Sequence, residues 1–305
     1  MLSRRTVLLT PLALLAAQRS SAASQMTLGL HQNTSSGAGY RKSLEGWARA
    51  GITHVELASN LVDEFLKTDT LAAAKRVLTD NGLTPASASA GAGGIFEPNP
   101  NRAAALDALK RRCEMFAELG VPRIYQPTGV AQPTGGGATA KFTADDYKAA
   151  AANMREVGEI ASQYKLVFMV EALRNSTFIS TLSSLLKVTR EAAHPNLKPL
   201  LDFYHFWSGM SKFEDLENVR PGEIGHVHFQ DVPDMPRELL DSNTRAVPGD
   251  GVAPIDRMLR TISAKNYAGT LSVELFLQRF QQGDPFETAT EIKRKAEAVM
   301  RKAGV

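Results

Sequence analysis

The chain has 305 residues, with 35 Lys and Arg against 32 Asp and Glu, and a single cysteine. Three of the arginines fall in residues 1–23, where there is no acid, so the remainder is balanced at 32 against 32. A balanced charge argues against the basic footprint of a nucleic-acid binder, and one cysteine, Cys113, excludes an internal disulfide.

Read in chain order, the first element is an export signal. Ser3-Arg4-Arg5-Thr6 is followed by an apolar run from Val7 to Ala17 and then by Ser21-Ala22-Ala23. These are the n-region, h-region and cleavage site of a signal peptide, and the paired arginines point to the twin-arginine route. The apolar run is too short to span a bilayer, which needs about 20 residues. We therefore expect a cleavable segment over 1–23, a mature chain over 24–305, a periplasmic or otherwise exported location, and no stable membrane insertion.

From there short apolar runs alternate with helical patterns. The pattern predicts strands over 26–32, 53–59, 84–90, 123–129, 166–173, 198–206, 224–231 and 270–276. Helices are predicted over 40–50, 70–81, 101–119, 143–164, 180–193, 253–265 and 285–303. Several helices stop at Gly51, Asn81-Gly82 or Gly120, a few residues before the next strand. Eight strands in this rhythm imply a parallel sheet, and the length suits one (β/α)₈ TIM barrel. The first strand runs into GLHQNTSSGAG, not a tight GxGxxG turn, which weakens a dinucleotide-binding sheet. The stretch 131–142, AQPTGGGATAKF, reads as a surface loop.

In such a barrel reactive groups sit at the C-terminal ends of strands. The last four predicted strands end on Glu171, Asp202, His228 and Glu274; FMV, PLL and LSV precede the three carboxylates. A carboxylate after such a run is costly unless paired or bound to metal. Three carboxylates and an imidazole suit one divalent ion, Mn²⁺ or Zn²⁺ before Mg²⁺ or Co²⁺.

The stretches LDFYHF, HVHFQDVPDMP, DSNTRAVPGDG and SVELF resemble the xylose-isomerase-like sugar isomerase/epimerase superfamily, most of all its inosose isomerases. The resemblance runs from about Val167 to Phe276. It implies that Glu171, Asp202, His228 and Glu274 are metal ligands, and that the two glutamates also form the acid/base pair. It implies substrate contacts for His205 and Arg245. Ala172-Leu173 and Leu277-Gln278-Arg279 depart from the inosose isomerase pattern, which leaves the substrate open.

Around this set, His226 would lie one step deeper than His228, as support for a ligand or as core. Gln230 would lie nearer the mouth, meeting substrate or orienting a ligand, and Asp231 would face the other way and fix the next loop. His31 and Glu56, ending the first two strands, would either touch substrate or support the site. Trp207 and Phe206 would wall the pocket, and Gln126 is a weaker candidate. The implied activity is a metal-dependent isomerase or epimerase on a keto-sugar or keto-cyclitol, through an enediolate. The alternatives are a lyase using the same site, an inosose dehydratase or a 3-keto-glycoside eliminase, and a non-catalytic sugar-binding protein. No phosphate cradle is evident, which favours an unphosphorylated small molecule. The oligomeric state, a homo-oligomer included, is left open.

Overall fold

The computed structural model describes residues 26–129, 141–241 and 243–305. The expected signal segment, and all but the last two residues of the 131–142 loop, lie outside the described residues.

Eight parallel strands close on themselves in sequence order. They are β1 (Thr27–His31), β2 (His54–Leu57), β3 (Thr84–Ser89), β4 (Arg123–Pro127), β5 (Val167–Glu171), β6 (Leu197–Asp202), β7 (His226–His228) and β8 (Thr270–Val273). β8 returns to β1 through pairs such as Val273 with Leu30, which closes a single (β/α)₈ barrel.

The outer layer is built from α1 (Gly39–Arg49), α2 (Ser59–Leu66), α3 (Leu71–Asp80), α4 (Arg102–Glu118), α5 (Ala144–Gln163) and α6 (Leu182–Ala192). It continues with α7 (Phe203–Ser208), α8 (Phe213–Glu217), α9 (Ile255–Ala264), α10 (Gln278–Gln281) and α11 (Pro285–Ala303). No helix among the described residues is long and apolar enough to cross a membrane. The main core lies between helices and strands, with Trp47, Phe96, Phe116 and Phe168 fully buried.

Local chemistry sets the boundaries. Thr143 and Asp146 form a capping box that starts α5, and Asp284 accepts from the backbone N–H groups of Phe286 and Glu287 to start α11. Gly51 and Gly120, with φ of +78° and +79°, end α1 and α4 in the left-handed conformation that glycine reaches without strain.

Two expectations need correction. The strand predicted over 198–206 stops at Asp202, and Phe203–Ser208 is helical. The Asp202 carboxylate accepts from the His205 N–H at 2.7 Å and so nucleates α7; an unbroken apolar run conceals that switch. The seventh strand shrinks from 224–231 to three residues, His226–His228. A 3-10 turn over Gln32–Ala38 was not predicted because its polar, loop-like composition hid it, and α2, SNLVDEFL, was not predicted although Leu61, Val62, Phe65 and Leu66 carry helical spacing.

Candidate metal centre

Parallel strands in register bring their last residues to one level. Asp202 pairs with His228 across β6 and β7, His228 with Ser272 across β7 and β8, and Glu274 lies two residues beyond Ser272. One donor atom from each of Glu171, Asp202, His228 and Glu274 falls within 4.8 Å of the others. All four are buried, between 0% and 4% exposed.

The His228 ring organises the cluster. Its Nδ1 lies 2.9 Å from Glu171 Oε1, 3.5 Å from Asp202 Oδ2 and 3.6 Å from Glu274 Oε2. Its Nε2 points away from them, 3.3 Å from Glu56. Glu56 also lies 3.0 Å from His226 Nε2, and all three residues are fully buried.

Each carboxylate has its own neighbours. Asp202 caps α7 and accepts from Gln230 Nε2 at 2.6 Å. Glu274 accepts from Arg245 Nη1 at 2.5 Å and from Asn33 Nδ2 at 3.0 Å. Arg245 Nη2 lies 3.1 Å from His205 Nε2, so Arg245 joins Glu274 to His205. The main-chain N–H of Asn33 donates to His31 Nδ1 at 3.0 Å. That leaves His31 Nε2 to donate to the Tyr125 hydroxyl, also at 3.0 Å. The Tyr125 ring sits edge-on to His228, centroids 5.1 Å apart.

These surroundings move the proton equilibria. Burial, reinforced by Asp202 and Glu274, pushes the Glu171 carboxyl up to about 7. Burial would raise Glu274 too, but Arg245, His31 and His228 outweigh it and hold it at about 2. Burial, with Arg245 and His228 adding to it and Asp202 and Glu274 opposing, lowers His205 to about 4, so that ring is neutral. Burial opposes a charge on His228, yet Glu56, Glu171 and Glu274 draw it well above its ordinary value. In the metal-free chain a proton on the imidazole thus stands where the three carboxylates call for a cation. Three buried oxygen donors, one nitrogen donor and a single guanidinium as counter-charge fit a divalent ion, which Glu171, Asp202, His228 and Glu274 could hold.

The other predicted residues fall into place as follows. His31, Gln230, His205 and Arg245 all reach the cluster. Glu56 and His226 lie beneath it, on the far side of the His228 ring. Trp207 does not reach it: its ring meets Phe213 and the Arg237 guanidinium. Gln126 accepts from the Ala92 N–H at 2.8 Å, while its neighbour Tyr125 is the residue that faces the histidines. Asn33 and Tyr125 were missed. Tyr125 sits mid-strand, where strand parity could have found it, whereas Asn33 lies in the unpredicted 3-10 turn. Asp231 turns outward, as expected, and accepts four backbone N–H groups of the following loop.

A closed parallel barrel with an acidic, histidine-containing cluster at the C-terminal ends of its strands defines a class of metal-site TIM barrels. The chain belongs to the xylose isomerase-like TIM barrel family, whose model matches residues 44–302. It is 26% identical over 247 residues to an inosose isomerase of Halalkalibacterium halodurans, covering 79% of this chain and 84% of the relative. It is 26% identical over 188 residues to a 3-dehydroshikimate dehydratase of Pseudomonas putida, covering 61% of this chain and 28% of that longer one. Among solved structures, the IolI protein with a bound zinc atom superposes with a TM-score of 0.81 at 20% identity, over 91% of this chain and 99% of that one. These sequence relatives are named as an isomerase and a dehydratase, so the family likeness reaches enzymes of more than one reaction type.

Proposed function

We propose that the chain is a divalent-metal-dependent isomerase or epimerase acting on a keto-sugar or keto-cyclitol. The observation that carries the reading is the convergence of Glu171 and Glu274, from the end of β5 and just beyond β8, on one imidazole nitrogen, with Arg245 and His205 alongside. A bound ion, Mn²⁺ or Zn²⁺ before Mg²⁺ or Co²⁺, would polarise a carbonyl and the neighbouring hydroxyl.

The chain's own residues do the rest. One glutamate takes the proton from carbon, and the other returns a proton at the adjacent carbon or on the opposite face. Arg245 and His205 hold the substrate oxygens on which negative charge develops. The Arg245 Nε and Gln230 Oε1 atoms are buried without a hydrogen-bond partner, which leaves a donor and an acceptor for substrate. His31, fixed through Tyr125 and beside Glu274, contributes a further polar contact. Glu56 faces away from this space.

The test is incubation of metal-loaded protein in D₂O with a panel of inososes, ketohexoses and 3-keto-glycosides, followed by mass spectrometry. Deuterium on carbon with the parent mass otherwise conserved supports the reading. Full turnover by Glu274→Gln on the same substrate would refute the acid/base assignment.

The likeness to a dehydratase supports a second reading, a lyase that expels water or an aglycone after the same proton abstraction. A product lighter by that fragment would move the protein to this class. We further infer export of the mature chain through the twin-arginine segment, on the strength of Arg4-Arg5 and the Val7–Ala17 run. Exported protein should begin near Ser24, and one beginning at Met1 would rule this out.

A further inference from the structure

We propose that Glu56 and His226, which sit below the acidic cluster, are positioning residues that set the affinity of the centre for its ion by holding the His228 ring. The inference rests on the metal-centre reading above.

His228 is the only nitrogen donor among three carboxylates, and its two nitrogens face opposite ways. Nε2 faces Glu56 at 3.3 Å, and an ionised carboxylate offers lone pairs only. Nε2 therefore keeps its hydrogen towards Glu56, and Nδ1 is the nitrogen left to offer a lone pair when a metal takes the place of the proton there. Glu56 is held in turn by His226, whose Nε2 donates from 3.0 Å. Among the described residues the Glu56 side chain has no other hydrogen-bond partner, and all three side chains are fully buried, so bulk water cannot replace either link. The chain His226–Glu56–His228 fixes the tautomer, the ring angle and the electron-donating power of one ligand without touching the ion.

A metal-bound histidine whose far nitrogen loses its carboxylate partner typically weakens the metal by about 10–100-fold. In Glu56→Gln the amide oxygen can still accept from His228 and the amide nitrogen can donate to His226 in its other tautomer. The change thus removes the charge while keeping the shape. His226→Met removes the support one step further away.

The same three residues could be imagined as a second ion site, since their donor atoms also lie within 4.8 Å of one another. That arrangement would strip both protons from His228 and make it bridge two ions, so counting ions decides between the two.

The experiment titrates metal-free wild type, Glu56→Gln, His226→Met and the double variant with Zn²⁺ and Co²⁺ against a chromophoric chelator. Ions per chain are counted by elemental analysis, and the metal-free forms are melted to compare their folds. We expect one ion per chain throughout and a Kd raised about 10–100-fold in Glu56→Gln. A smaller rise is expected in His226→Met, with the double variant no weaker than Glu56→Gln, because His226 acts only through Glu56. The Co²⁺ absorption bands should shift in both single variants. Wild-type affinity in Glu56→Gln overturns the proposal, as do two ions in wild type falling to one in the variant. If Glu56→Gln fails to fold, His226→Met decides by the same criterion. A wild-type chain that binds no ion removes the metal centre itself, which the variants' fold-changes do not test.

Discussion

Replacing Asp231 by asparagine should cost stability far beyond what a single isosteric change suggests. One carboxylate oxygen accepts from Val232 N–H at 2.8 Å and Ala253 N–H at 3.0 Å, and the other from Gly249 and Gly251 N–H, both at 3.1 Å. Asparagine keeps one oxygen and turns the other into a donor that faces two donors. The buried pair, Val232 and Ala253, will hold the oxygen, so Gly249 and Gly251 lose theirs. A lost bond to a charged group is worth about 1.5–3 kcal/mol when its partner stays buried. Gly249 is exposed and Gly251 half-buried, so water recovers part of each, leaving about 2–4 kcal/mol in all. For a barrel of this size that is a fall in Tm of roughly 3–7 °C, read by circular dichroism or calorimetry. Asp231 also pairs with Ala246, next to Arg245, so the loosened loop should raise KM more than it lowers kcat. A Tm within about 2 °C of wild type would refute this account of the four bonds.

Three further outcomes are expected. A Cβ on Gly29 would lie 2.6 Å from Thr270 Cγ2 and 3.1 Å from the His54 carbonyl; Gly29→Ala should therefore cost about 2 kcal/mol in chemical denaturation. Thr270→Ser should restore part of that loss, and no rescue would mean that the backbone contact dominates. Burial pushes the Cys113 thiol up to about 12, so at pH 8 almost none is thiolate, and a thiol reagent should react only after denaturant is added. Rapid labelling of the native chain would contradict this. If the centre binds an ion, chelation should lower Tm, since a ligand at 100 times its Kd adds about 2.7 kcal/mol; a melting curve indifferent to chelator would count against the site.

The fold was legible because eight apolar runs, each followed by a helix or loop, admit few topologies, and because glycines such as Gly51 and Gly120 mark real helix ends. The site was legible for a related reason: in a parallel barrel the last residue of each strand faces the mouth, so position along the strand already says what can meet. Asp231 could be turned outward by strand parity alone. Less could be read where a side chain changes the local structure. Asp202 ends its strand by capping α7, a switch that Phe203-Tyr204 does not announce. Asn33 reaches Glu274 from a turn of polar residues with no periodicity. Glu56 and His226 meet across the barrel from positions 170 residues apart, which no local pattern encodes.

The two glutamates show most sharply what folding adds. In the sequence they are near equivalents, each closing an apolar run, FMVE and LSVE. In the barrel Glu274 is held by Arg245 and Asn33, both donors to its charged form. Among the described residues Glu171 has only His228 for its side chain. Arg245 reaches Glu274 rather than Glu171 because its loop is pinned at Asp231, against β7 and beside β8. The proposed acid/base pair would need two carboxylates with different tasks, and the asymmetry between these two comes from which loop carries the guanidinium. Arg245→Met should therefore make the two environments more alike, lowering kcat by more than the loss of substrate contact alone would raise KM. A change confined to KM would place Arg245 on the substrate only.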